Sequence, residues 1–121
     1  MLGFHSLVDL DNCNRKRLMS GTRLLSLLVE AVLAIGAKNI DSRIYKHKDE
    51  WITVIVILEE SHMILHAWPK YRKACLDIFT CGNIPDHEPA ITVISDGLGS
   101  TAGRRAETRR GEDAPIGEGL C

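Results

Sequence analysis

The stretch Trp51-Ile52-Thr53-Val54-Ile55-Val56-Ile57-Leu58, followed at once by Glu59-Glu60-Ser61-His62, decides how this chain is read. The apolar run is rich in β-branched residues and too short for a typical helix, so it predicts a strand buried on both faces or nearly so. Its abrupt end at two glutamates sets Ser61 at a junction that can host self-cleavage. A serine hydroxyl held against the Glu60 carbonyl can attack it. The resulting ester loses its acyl group by β-elimination, and the dehydroalanine left behind hydrolyses to a pyruvoyl group. Downstream, His66 in His66-Ala67-Trp68-Pro69 and the thiol of Cys81 in Asp77-Ile78-Phe79-Thr80-Cys81-Gly82 complete a reaction set.

Outward from this junction the chain alternates between strand and helix signals. Residues 3–10 read as a first strand. Asn12 and Asn14 offer capping side chains, and Leu24, Leu28, Ala31, Val32 and Ile35 keep a helical period until Gly36 stops it. Residues 38–46 form a second strand with Ile40 and Ile44 in one phase. Residues 61–67 and 73–80 give two more, separated by a turn at Pro69. A second helix begins near Pro89 and runs to Leu98, with Ile91, Ile94 and Leu98 on one face. One helix after the first strand and another after the last predict an α+β fold: a two-layer α/β sandwich whose antiparallel sheet carries both helices on one face. The domain is expected to span 1–98. Residues 99–121, rich in Gly, Arg and acidic groups, read as a disordered tail.

At 121 residues with 45% hydrophobic content the chain suits a single core. Fifteen basic against 16 acidic residues give a net charge of −1, so no global field points to nucleic acid or to an anionic membrane. The apolar peak at 24–35 is interrupted by Glu30 and too short to span a bilayer. Met1-Leu2 leads at once into Gly3-Phe4-His5-Ser6 rather than a basic and then apolar leader, so a cytoplasmic location is expected. In that compartment the four cysteines read as free thiols, with Cys13, Cys75 and Cys121 structural or incidental. Cys81, where an apolar strand gives way to Gly82, is placed to be reactive.

His62 and His66 raise the question of a shared zinc. Four residues along a strand span about 13 Å, too far for two ligands each about 2 Å from one ion, so no metal is expected. His5 reads as a strand histidine with a satisfied hydrogen bond, and Trp68 as either core or a stacking surface.

The same residues carry a resemblance. Gly3-Phe4-His5 with Asp9 and Cys13, Ile35-Gly36-Ala37, Glu60-Ser61-His62, His66, Trp68-Pro69, Tyr71 and Asp77 through Gly82 occur in the order found in the small prokaryotic S-adenosylmethionine decarboxylases, which make their own pyruvoyl cofactor. Glu-Ser-His, then His-x-Trp-Pro, then Phe-Thr-Cys-Gly is a specific combination. The resemblance implies cleavage between Glu60 and Ser61, with Ser61 becoming the pyruvoyl group that condenses with the substrate amine and takes up electrons as carbon dioxide leaves. It implies that His66 is the processing base, that Cys81 is the acid that reprotonates the decarboxylated carbon, and that Thr53 supplies a hydroxyl assisting cleavage. It further implies a homodimer of cleaved protomers with the active site near their interface. The product would be the aminopropyl donor for spermidine synthesis.

The chain departs from that family around the substrate. Lys70 replaces a glutamate that usually follows Trp-Pro, Arg72 replaces a glycine, His47 stands where an aromatic residue flanks adenine, and Lys48-Asp49-Glu50 replaces a Gly-rich approach to Trp51. Trp68, Lys70 and His47 are therefore the expected substrate-binding residues. Two rival readings follow: a decarboxylase of a cationic amino acid such as ornithine or arginine, held by Asp49 and Glu50, and a non-enzymatic paralogue that tunes a partner subunit.

Overall fold

The computed structural model describes residues 1–59 and 61–113. Six strands, β1 (Gly3–Asp11), β2 (Asn39–His47), β3 (Trp51–Leu58), β4 (Ser61–Trp68), β5 (Lys73–Cys81) and β6 (Thr101–Arg110), form one sheet in the order β2-β3-β4-β5-β1-β6. Every neighbouring pair is antiparallel. Helices α1 (Gly21–Ala34) and α2 (Glu88–Leu98) cover one face.

Strand alternation decides which face they cover. Val8 and Leu10 of β1, Ile52, Val54, Val56 and Leu58 of β3, Met63, Leu65 and Ala67 of β4, and Ala74, Leu76 and Ile78 of β5 are all buried in one cluster. Leu24, Leu28, Ala31 and Val32 of α1 and Ile91, Ile94 and Leu98 of α2 close over it, as their helical spacing predicts. The two helices approach closely at Gly97, where a Cβ would run into the Leu27 side chain. The opposite face is open. On β3 it carries buried Thr53 but only half-buried Ile55, and Ile57 is 43% exposed, so the run is not buried on both faces as its composition suggested.

Two expectations change, the cap of the first helix and the tail after Leu98. Helix α1 is capped by Ser20, whose hydroxyl accepts from the Arg23 amide. Asn14 instead caps a short 3-10 turn at Arg15–Leu18, and the Asn12 side chain bonds Thr101. The helix ends where Gly36 takes φ +74°, a left-handed conformation glycine adopts without strain. The largest correction concerns residues 99–121. Gly99 is again left-handed at φ +62°, and the chain then returns as β6 along the free edge of β1, with Leu10 opposite Ala102 and Gly3 opposite Arg110. An edge strand exposed to solvent satisfies its backbone without apolar alternation, so composition gave no sign of it. Arg105 ties it down by ion pairs to Glu88 of α2 and Glu107 of β6. The ordered fold thus passes 98 and runs through Arg110. The remainder of the expected tail, 114–121, lies outside the described residues.

Candidate active site

Ser61 opens β4, its pairing with Leu58 closing the hairpin from β3. Glu60, the other half of the expected cleavage junction, lies outside the described residues. The Ser61 hydroxyl accepts a hydrogen bond from the Cys81 amide at 3.2 Å, which fixes the hydroxyl against the end of β5. Beside it is a cavity of about 100 Å³ lined by Gly36, Ala37, Lys38, Leu58, Glu59 and Ile84. Sequence positions 61 and 81 are therefore brought together by strand register, since β4 and β5 are neighbours. Cys13 and Cys75 are free thiols. Cys81 is disulfide-bonded, which corrects the expectation of a free thiol there. Cys75 donates to Asp9 at 3.4 Å, and burial together with that carboxylate pushes its pKa up to about 11, so it stays a thiol.

The other end of β4 carries a second cluster, on the open face. His66 pairs with Thr53 across β3 and β4, and Thr53 Oγ1 lies 2.9 Å from His66 Nδ1. Trp68 stacks along His66, with ring centres 6.0 Å apart. At the strand ends a cavity of about 350 Å³ is lined by Asp49, Glu50, Trp51, Trp68, Lys70 and Tyr71. His47 stacks on Trp51 at 4.7 Å and 18°, so it reaches this rim through Trp51. The Lys70 ammonium sits over the Tyr71 ring at 5.7 Å.

Two of the departures noted above have a backbone explanation. Arg72 at φ 54° and Lys48 at φ 51° are both left-handed, a conformation that suits glycine. Arg72 offsets that strain by donating from Nε to the Cys13 carbonyl at 2.9 Å, so it braces the first loop instead of facing the cavity.

The two clusters do not meet within one chain. Ser61 and His66 are five residues apart on one strand, about 17 Å at ~3.3 Å per residue. They also occupy opposite phases of its alternation. Between the clusters the open face is lined by His5, His62 and Phe79. His62 stacks on Phe79 at 5.6 Å, and His5 meets Phe79 edge-on. Burial, and after it the His5 ring, pulls the His62 pKa below its ordinary value despite Asp77. His5 is not the satisfied histidine expected: its Nε2 is buried with no partner among the described residues.

A polar group that the sequence did not single out surrounds Thr80, the residue before Cys81. His87, 1% exposed, has Nδ1 at 2.8 Å from Ser6 Oγ and Nε2 at 2.6 Å from Thr80 Oγ1, and both hydroxyl residues are fully buried. Desolvation pushes the His87 pKa down to about 4. The only sequence signal was that Ser6 and Thr80 fall in the buried phase of their strands.

Comparison with known proteins agrees with this geometry. The chain is 35% identical over 97 residues to the S-adenosylmethionine decarboxylase proenzyme of Methanococcus aeolicus, covering 80% of this chain and 83% of that one. To the proenzyme of the same name from Caldicellulosiruptor saccharolyticus it is 29% identical over 110 residues, covering 91% and 89%. The crystal structure of the adenosylmethionine decarboxylase from Aquifex aeolicus VF5 superposes with a TM-score of 0.76 at 27% identity, over 88% of this chain and 87% of that one. The family model for S-adenosylmethionine decarboxylase matches residues 4–111, a span that takes in β6. With all six strands and both helices inside that match or at its border, the chain belongs to the S-adenosylmethionine decarboxylase family.

Proposed function

We propose that this protein is a self-processing S-adenosylmethionine decarboxylase, working as a cytoplasmic homodimer to supply the aminopropyl donor for spermidine synthesis. The observation that carries the reading is the Ser61 hydroxyl, placed at the first residue after a tight hairpin and held by the Cys81 amide. Its oxygen adds to the Glu60 carbonyl carbon. The Glu60–Ser61 C–N bond breaks as the ester C–O bond forms, and the amine keeps the hydroxyl proton. Loss of the Ser61 α-proton to a base then expels the Glu60 carboxylate, and hydrolysis releases ammonia and leaves a ketone at the new terminus. His66, oriented by Thr53, is that base.

Because His66 stands about 17 Å along the strand from Ser61 of its own chain, the base comes from a second copy. Pairing that lays one copy's open face over the Ser61 end of the other's sheet would bring the first copy's His66 cluster to the second's Ser61. Leu7 and Ile57, each more than 40% exposed there, give such a contact apolar area. The residues around Ser61 fit the small covalent group: a donor amide, a cavity of about 100 Å³ and the adjacent Cys81. That pyruvoyl group supplies an electron sink for decarboxylation. Cys81, once reduced, returns a proton to the substrate carbon. Trp68 stacks on the adenine, a contact worth roughly 1–3 kcal/mol. Lys70 donates to ribose hydroxyls while resting on Tyr71, and His47 backs the rim through Trp51. No nucleic acid, membrane or metal enters this scheme, and no helix among the described residues is long and apolar enough to cross a membrane.

Mass spectrometry of the protein purified in reductant tests the reading. Fragments of 60 and 61 residues are expected, the second blocked at its amino terminus, with release of carbon dioxide from S-adenosylmethionine. Ser61→Ala should remain one inactive chain. A cut in that variant refutes the mechanism, and carbon dioxide released from ornithine or arginine but not from S-adenosylmethionine refutes the substrate.

A further inference from the structure

We infer that His87 is a positioning residue: as the neutral Nε2–H tautomer it locks the 82–86 turn onto Thr80 and so sets the Cys81 amide that holds the Ser61 hydroxyl. The inference rests on the role proposed for Ser61.

The hydrogen-bond directions follow from counting protons. The Ile84 carbonyl can only accept, and Thr80 Oγ1 lies 2.6 Å from it, so Thr80 spends its one hydroxyl proton there. His87 Nε2, 2.6 Å from the same Thr80 oxygen, must then donate. A neutral ring that donates from Nε2 has a lone pair at Nδ1, and Ser6 Oγ at 2.8 Å supplies the proton to it. The result is a directional chain from Ser6 through His87 and Thr80 to the Ile84 carbonyl. Ser6, His87 and Thr80 are buried, so water does not substitute for any of these three.

The chain ends at the active site. The Ile84 amide also bonds the Cys81 carbonyl at 3.0 Å, and Gly82 N bonds the Leu2 carbonyl at 3.0 Å, so the turn is clamped on both sides of Cys81. Ile84 lines the same small cavity as Ser61. The groups facing His87 are the Phe4 ring at 5.0 Å and His5 from β1, Arg105 and Glu107 from β6, and Asp86 beside it in the chain. A ring carrying its proton at Nδ1 would turn a lone pair toward Thr80 and break the chain in the middle.

Two measurements test this. The Ser61→Ala protein, which stays in one piece, is labelled with 15N at histidine. The His87 ring is expected to show a protonated Nε2 and a bare Nδ1 at pH 7, and an Nδ1–H tautomer overturns the inference. In the cleavable chain, the rate at which fragments appear after rapid purification is compared among wild type, Thr80→Val and Thr80→Ser. Loss of the relay hydroxyl should slow cleavage by about tenfold, one hydrogen bond's worth of barrier, and serine should restore it. A Thr80→Val rate within about threefold of wild type, or no rescue by serine, overturns the inference. A wild-type chain that never cleaves refutes the proposed function instead, and the ring tautomer still decides the role of His87.

Discussion

His87 makes the stability of this fold depend on pH in a way that can be worked out in advance. In the unfolded chain a histidine titrates near 6.5, whereas burial holds His87 to about 4 in the fold. Between those values the unfolded state binds the extra proton and the native state does not, so stability rises with pH across the window. The contribution is fully present above pH 6.5 and is lost as pH falls toward 4. A difference of about 2.5 in pKa, at ~1.4 kcal/mol each, makes the whole contribution about 3.5 kcal/mol, of which about 3 kcal/mol is lost between pH 7 and 4 and the rest below it. That is a large share of the roughly 5–15 kcal/mol that holds a domain of this size together. At 1% exposure, screening by solvent does not reduce the figure much. The perturbation is His87→Gln, made in the Ser61→Ala background so that one uncut chain is measured, and the assay is urea unfolding at pH 7, 6, 5 and 4. Gln lowers stability at every pH through lost packing, but it removes the titration. The parent should therefore lose about 3 kcal/mol more than the variant between pH 7 and 4. Parallel losses, within about 0.5 kcal/mol at each pH, would refute the buried neutral histidine.

Three other outcomes are expected. If the base acts across the dimer, a Ser61→Ala chain coexpressed with a His66→Ala chain should cleave the latter, though each alone stays intact; no cleavage in the mixture, read by mass spectrometry, places His66 in its own chain's site. Replacing Lys70 with the glutamate common in the family should keep or improve kcat/KM for S-adenosylmethionine and leave the rate of self-cleavage unchanged, since Lys70 acts on the substrate's nucleoside end and takes no part in the ester or elimination steps; a fall in both rates contradicts that division. Gly97→Val should cost about 1–3 kcal/mol in urea unfolding, because the added carbons run into Leu27 where α1 and α2 meet.

Most of the fold was legible in the sequence because its signals are local. The β-branched run at Trp51–Leu58, the period-2 burial of β4 and β5, and the helical spacing from Leu24 to Val32 each follow from a few neighbouring side chains. The Ser61 junction was legible too, since an apolar strand broken by Glu-Ser-His needs no distant partner to be noticed.

Partnership across the sheet was beyond the sequence. Thr53 meets His66, and the Cys81 amide meets Ser61, because of the β3–β4 and β4–β5 register, a property of paired backbones rather than of either strand alone. Strand β6 has a polar, Arg-rich composition and earns its place through backbone bonds to β1, which leave no hydrophobic pattern behind. His87 is the clearest case. Whether a histidine is charged at the surface or neutral in the core depends on what surrounds it, and Ser6, 81 positions away, becomes its partner only once β1 and the start of α2 are folded against each other. Local propensity and periodicity set the elements, while the register and packing of distant segments set the site.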